Sequence, residues 1–268
     1  MLFNHIVWDA SPVIFDFGGW ALRWYGVFFA MTFMLGHFIL LKIFQIEGKT
    51  SKELDKLVLG MIASIVVGAR LGHCLFYDPE YYFYENPGAL LRIWEGGLAS
   101  HGATIGIIAY LYYYVSSTPG MRFLWLADRF VVVVALGAFF VRMGNLMNSE
   151  ICGVPSDLPW AFEYVNARGS DCSGGPRHPT QLYEGLSYLV LFAFLMYAYF
   201  KTNLKNIEGR MAGMCVTLLF TARFLIEFFK ENQENYTLGM PLNTGQLLSI
   251  PVIAFGLWMW ARSARKPA

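Results

Sequence analysis

The sequence predicts an all-α, polytopic membrane protein with about seven transmembrane helices and a small extracytoplasmic cap. The first observation is composition: 56 % of the 268 residues are hydrophobic and only 15 % are charged, whereas soluble domains carry about 25 % charged residues. The second is a series of long apolar segments. The third is an uneven distribution of lysine and arginine between the loops. These basic residues form no face of the kind that binds nucleic acid.

Seven apolar segments have about the length of 20 residues that a helix needs to cross a bilayer. They are predicted at residues 20–44, 57–76, 97–116, 122–146, 180–200, 210–229 and 244–262. We find no internal repeat and no linker, so a single membrane domain is expected over residues 1–268. The cap is predicted from loop segments 77–96 and 147–179.

The basic residues predict the orientation of these spans. Eleven lysines and arginines lie in the loop segments 42–56, 116–122, 201–210 and 262–266. Four lie in the alternate segments 77–96, 147–179 and 230–243. Because short cytoplasmic loops are enriched in positive charge, the N-terminus is expected outside and the C-terminus in the cytoplasm.

Five arginines fall within or at the edge of predicted spans, at positions 23, 70, 129, 142 and 223. Ionisable groups inside a membrane are costly and usually face a polar cavity or a partner. Snorkelling towards the interface explains Arg23 and Arg129 equally well. Arg70 lies between two glycines four residues apart, a spacing more typical of a close helix–helix contact than of a ligand site.

The stretch FFVRMGNLMNSEICG (139–153) ends the most apolar run with four polar groups: Arg142, Asn145, Asn148 and Glu150. If the helix continues, Arg142 and Asn145 share a face, because residues three apart are neighbours on a helix. Arginine binds phosphate in a planar, bidentate manner. The cluster therefore predicts a site for a phospholipid headgroup, and the simpler alternative is a hydrated helix end.

Three further polar groups are predicted in the same half of the bundle. Tyr25 lies in RWYG (23–26), His101 in GGLASHG (96–102), and Arg223 lies four residues before Glu227. Each has a structural alternative. The Trp24–Tyr25 pair is also typical of an interfacial anchor. His101 could be a packing residue among glycines. Arg223 and Glu227 could simply neutralise each other's charge.

The stretch from Arg142 to Gly153, in the form RxGNxxNxExxG, resembles the signature of the bacterial prolipoprotein diacylglyceryl transferases. Other segments follow in the order of that family: RWYG, EGGLASHG, HPTQLYE, RFLIEFF and GQLLSIP. The resemblance covers nearly the whole chain. It implies transfer of a diacylglyceryl group from phosphatidylglycerol to the lipobox cysteine in the signal peptide of a prolipoprotein, without a cofactor or metal.

The chemistry of the residues fits that reaction, and we expect the following roles. Arg142 and Arg223 hold the phosphate and stabilise the charge that develops on the leaving group, Asn145 donates to it, and Glu150 and Glu227 orient the arginines. His101 is the general base for the thiol. Tyr25 donates near the leaving group, and Asn148 and Gly153 complete the substrate-binding set.

Some alternatives remain open at this point. A lipid-binding transporter or receptor would use the same cavity without chemistry, and another phospholipid-using transferase would differ in its acceptor. Cys152 and Cys172 either form a disulfide bridge, which an oxidising compartment permits, or remain two free thiols.

Overall fold

The computed structural model describes residues 5–18, 21–93, 96–167, 172–230 and 242–264. Seven α-helices contain most of them: α1 (Trp24–Ile46), α2 (Ser51–Phe76), α3 (Ser100–Ser117), α4 (Phe123–Met147), α5 (Thr180–Lys201), α6 (Arg210–Ile226) and α7 (Thr244–Ala264). Each overlaps one predicted span. Six helices in the described ranges are long and apolar enough to cross a membrane. Helix α3 is not one of the six, because four tyrosines and a histidine lower its hydropathy.

In the described part of the chain, four short strands accompany the helices. The all-α prediction did not include these strands. Strand β1 (Ile6–Trp8) pairs in parallel with β4 (Phe162–Tyr164). Strand β2 (Val13–Asp16) pairs antiparallel with β3 (Ala21–Arg23). The predicted start of the first span at residue 20 was therefore wrong: α1 begins at Trp24, and Arg23 lies in a strand whose backbone is paired with its neighbour.

The described residues divide into two compact units. The inserted unit is Leu40–Leu126, and the main unit consists of Met1–Ile39 and Ala127–Ala268. Helices α1 and α4 each have residues in both. The expectation of one domain over residues 1–268 stays a prediction.

In the inserted unit, α2 and α3 approach each other through glycines. A Cβ on Gly68 would lie 2.5 Å from the carbonyl oxygen of Gly102, and a Cβ on Gly72 would lie 2.6 Å from the Cα of Gly102. Only a hydrogen fits in such a space, so the two backbones touch directly. The close contact predicted from the glycine spacing around Arg70 is confirmed.

Side-chain oxygens fix the starts of two helices. In the inserted unit, Thr50 Oγ1 accepts from the Glu53 amide at 3.2 Å, and Glu53 Oε2 accepts from the Thr50 amide at 2.7 Å. This reciprocal arrangement is a capping box. In the main unit, the buried Asp128 carboxylate of α4 accepts from the amides of Gly209 and Ala212 at 2.7 and 2.8 Å. It therefore caps the start of α6, where unsatisfied amides and the helix dipole favour an anion.

A small apolar layer of the main unit lies over the C-terminal end of α4. Trp8 stacks on Phe162 with ring centroids 5.3 Å apart, and its indole nitrogen donates to the carbonyl of Leu146 at 3.2 Å. Cys152 and Cys172 form a disulfide within the same buried cluster. The bridge is thus the alternative that the structure adopts. Residues 94–95, 168–171 and 231–241 of the predicted outer loops lie outside the described residues.

Candidate active site

The polar groups at the end of α4 form a continuous chain of hydrogen bonds. Arg142 Nη1 donates to Asn145 Oδ1 at 3.0 Å, which confirms that the two residues share a helix face. Asn145 Nδ2 donates to Glu150 Oε1 at 2.8 Å, and Asn148 Nδ2 donates to the same oxygen at 3.2 Å. Glu150 and Glu227 were expected to orient the two arginines. In these contacts Glu150 acts on Arg142 through Asn145.

The backbone around Glu150 is strained. Ser149 and Ile151, on either side of it, have φ angles of 52° and 60°. Side chains rarely adopt this left-handed region, and for a β-branched residue such as isoleucine it is an outlier. The start of α5 holds the turn in place: Gln181 Nε2 donates to the Glu150 carbonyl at 2.7 Å, and Thr180 Oγ1 donates to the Ile151 carbonyl at 3.0 Å. Such strain is often found at functional sites.

Glu184 of α5 is the carboxylate that binds Arg142 directly. Its side chain is fully buried, and one oxygen pairs with Arg142 Nε while the other pairs with Lys230 Nζ. The Tyr188 hydroxyl, one turn further along α5, donates to the oxygen shared with Arg142 at 3.5 Å. Because a buried charge needs a partner, Glu184 and its two cations depend on one another.

Arg223 and Glu227 lie near the end of α6. Arg223 interacts electrostatically with Tyr188, as Arg142 does, so both guanidinium groups act on one hydroxyl. Glu227 Oε2 lies 3.4 Å from Lys230 Nζ. A Cβ on Gly245, at the start of α7, would lie 2.5 Å from the carboxyl carbon of Glu227. The N-terminus of a helix favours negative charge, so α7 stabilises this carboxylate together with Lys230.

Tyr25, the second residue of α1, packs against the signature stretch. A Cβ on Gly144 would lie 2.7 Å from the Tyr25 ring, so the glycine in RMGN makes room for that ring. The phenol interacts electrostatically with Glu150 and Arg142. Trp24 points elsewhere and stacks on Phe28 at 5.9 Å.

Gly153 ends the signature where three backbone segments meet. Its amide donates to the His178 carbonyl at 2.9 Å, and a Cβ would lie 2.7 Å from the His178 Cβ and 2.8 Å from the Thr180 Cγ2. His178 Nδ1 lies 3.1 Å from the Tyr183 hydroxyl. Burial lowers the pKa of His178, which keeps its imidazole neutral near pH 7.

His101 belongs to the inserted unit, at the second residue of α3. Its exposed ring stacks on Tyr77, with centroids 5.9 Å apart, and meets Phe76 edge to face at 5.1 Å. Its assignment as a base stays a prediction. Within the described ranges, no three His, Cys, Asp or Glu side chains gather as a metal-binding group.

Comparison with known proteins covers almost the entire chain. The family model described as prolipoprotein diacylglyceryl transferase matches residues 12–262. The chain belongs to this family. Relatives named phosphatidylglycerol–prolipoprotein diacylglyceryl transferase include one from Chloroherpeton thalassium, 43 % identical over 98 % of this chain and 96 % of its own. Another, from Tolumonas auensis, is 42 % identical over 98 % and 99 % of the two chains. The resemblance inferred from the motifs is confirmed.

Two residues that contact Arg142 or its partner, Glu184 and Lys230, were missing from the site residues predicted for this family member. Glu184 and Lys230 appeared only as the end of HPTQLYE and as a loop charge. A signal for Glu184 was present: Gln181, Glu184 and Tyr188 lie three and four residues apart in an otherwise apolar helix, which places three polar groups on one face. Lys230 follows Glu227 by three residues, a spacing that also allows a contact.

Proposed function

We propose that the chain transfers the diacylglyceryl group of phosphatidylglycerol to the lipobox cysteine of prolipoproteins in a bacterial cytoplasmic membrane. The names of relatives at 40 to 43 % identity support the reaction. The observation that carries the assignment of the site is the buried Arg142–Glu184 pair, because it fixes a guanidinium beside the amide of Asn145. The wider substrate-binding set is Asn148, Glu150, Gly153, Arg223 and Glu227.

The headgroup phosphate is bound by Arg142 and Arg223. Glu184 holds the Nε edge of Arg142 and Asn145 accepts from Nη1, so the guanidinium is oriented before the lipid arrives. Asn145 gives one amide hydrogen to Glu150 and can give its second to a phosphate oxygen. Oriented donors of this kind stabilise developing charge without reorganising during the reaction.

The chemical step is a displacement at the carbon of the diacylglyceryl group that is bonded to the phosphate oxygen. His101 takes the proton of the cysteine thiol, because the thiolate is the nucleophile. The sulfur forms a bond to that carbon while the carbon–oxygen bond breaks, and the electron pair leaves with the phosphate oxygen. The products are a thioether and glycerol phosphate, whose charge is stabilised by the two arginines and by a hydrogen bond from Tyr25.

We propose the same membrane arrangement as the sequence predicts. All seven helices cross the membrane, α3 included, with the N-terminus outside and the C-terminus in the cytoplasm. The Cys152–Cys172 disulfide supports this orientation, because disulfides persist in oxidising compartments and are rare in the cytosol. Segments 77–96 and 147–179 then form the extracytoplasmic cap.

The test is to incubate purified protein with phosphatidylglycerol and a lipobox peptide and to detect thioether-linked diacylglycerol by mass spectrometry. A peptide with serine in place of its cysteine is the control for the acceptor, and phosphatidylethanolamine is the control for the donor. Folded protein that binds both substrates and forms no thioether would contradict the proposal.

A further inference from the structure

Arg70 of α2 bonds only to backbone carbonyls in the described residues, and it is not part of the proposed headgroup site. It is buried, with 4 % of its surface exposed. Its Nε donates to the carbonyl of Leu90 at 3.1 Å, and Nη1 donates to those of Gly96 and Gly97 at 2.5 and 3.0 Å. Nη2 donates to the carbonyls of Ala89 and Arg92 at 2.5 and 3.4 Å.

These bonds use the full donor capacity of the guanidinium, which is five N–H groups in a fixed plane. All five acceptors are backbone carbonyls in residues 89–92 and 96–97, which precede α3 in the chain. The ring of Tyr82 covers the guanidinium, with its centroid 4.9 Å from Cζ, a distance at which cation and ring attract. Arg70 therefore gathers these carbonyls, from residues 89–92 and 96–97, around its guanidinium.

Residues 96–99 lead directly into the helix that carries His101. The amide of Ala99 donates to the carbonyl of Ala69, the neighbour of Arg70, at 2.9 Å. Two residues later the His101 ring lies against Phe76 and Tyr77, at the end of the helix that contains Arg70. The backbone on one side of His101 is thus anchored beside Arg70.

Gly97 shows how close this fit is. Its φ is +73°, and a Cβ there would lie 2.6 Å from Arg70 Nη1 and 2.7 Å from the His73 ring. Gly96 also has a positive φ, +92°, and a Cβ there would meet nothing within 4 Å. Both glycines have a positive φ and a carbonyl bonded to Arg70, but only a Cβ on Gly97 would collide with the Arg70 guanidinium.

We infer that Arg70 is a positioning residue for His101: it holds residues 89–92 and 96–97 through their carbonyls and thereby fixes the start of α3. The inference rests on the proposed function for the role of His101. Lysine in place of Arg70 keeps the charge but has three donors on one nitrogen, so it cannot span carbonyls of five residues. A displacement of about 1 Å can lower turnover about 10²-fold.

The experiment is a double-mutant cycle of Arg70→Lys with His101→Asn. We expect Arg70→Lys alone to lower kcat about 10- to 100-fold, with KM for phosphatidylglycerol changed less than about 3-fold. In the His101→Asn background it should cost less than about 3-fold, because nothing remains to position. Equal losses in both backgrounds would overturn the inference.

Two further measurements keep the inference testable if Arg70→Lys folds poorly. Gly97→Ala should lower kcat as Arg70→Lys does, because its Cβ would displace Arg70. Gly96→Ala would introduce only the strain of a positive φ, so its loss of kcat should be clearly smaller. Equal effects of the two alanines would count against the Arg70 contact. Hydrogen exchange of segment 89–99 should rise in Arg70→Lys, and unchanged exchange would refute the anchoring. An inactive wild-type protein would instead contradict the proposed function, which exchange does not test.

Discussion

Replacing Glu184 by glutamine should both destabilise the protein and disorder its phosphate site. The side chain is fully buried and lies between Arg142 and Lys230, whose side chains are 13 % and 6 % exposed. Glutamine has nearly the same shape but no charge. Arg142 would then lose the carboxylate at its Nε edge, whereas Lys230 would keep Glu227 at 3.4 Å.

Removing one partner of a buried ion pair costs about 3–5 kcal/mol, because the other charge stays buried. We expect about 3 kcal/mol for Glu184→Gln, since the amide oxygen can still accept one hydrogen bond. A loss of that size lowers the apparent Tm by roughly 6–12 °C in a chain of this length. Diacylglyceryl transfer should fall about 10²-fold, because Arg142 is no longer held in position.

The assay is thermal unfolding in detergent together with transfer from phosphatidylglycerol. Arg142→Met in the same chain removes the charge that has lost its partner, so Glu184→Gln with Arg142→Met should regain part of the lost Tm, with a coupling of roughly 0.5–3 kcal/mol. The matched control is Glu163→Gln, whose half-exposed carboxylate pairs with His5 and is worth about 0–1 kcal/mol. If Glu184→Gln has the same Tm and the same rate of transfer as Glu163→Gln, the buried carboxylate does not stabilise or position Arg142.

Three other outcomes are expected. Arg142→Lys keeps the charge but loses the planar donor set, so turnover with phosphatidylglycerol should fall severely; activity equal to wild type would make Arg142 a simple counter-charge. His101→Asn should lower turnover about 10²–10⁴-fold while lipid binding persists, with partial recovery at higher pH as the substrate thiol ionises; the absence of recovery in folded protein would exclude a base. In intact cells, an impermeant thiol reagent should label Glu163→Cys and spare Lys205→Cys, and the reverse pattern would overturn the orientation.

The membrane class and the central cluster could be predicted because both depend on local patterns. Apolar length and the three-residue spacing of Arg142 and Asn145 do not require knowledge of distant contacts. The same local reasoning placed Arg23 at the edge of a span and missed its strand: apolarity continues from α1 into β3, and strand pairing with β2 comes from a neighbouring segment. Apolar composition alone does not separate a membrane helix from the short strand before it.

The partners of the cluster could not be found by the same means. Glu184 meets Arg142 and Lys230 across 42 and 46 residues of sequence, and a single sequence does not report which distant charges approach. The strain at Ser149 and Ile151 was equally hidden, because neither residue type indicates a left-handed backbone. Arg70 was correctly placed beside a helix–helix contact, while its five carbonyl partners depend on the path of a loop.

The pairing of β1 with β4 has a consequence for biogenesis. Ile6 is opposite Phe162, so β1 leaves the ribosome 156 residues before its partner strand. At about 5–20 residues per second, that delay is roughly 8–30 s. During this time, α1 to α4 are synthesised and strand β1 presents an unpaired edge, which can associate with other chains. The pairing of β1 with β4 can therefore form only after α1 to α4 have been made.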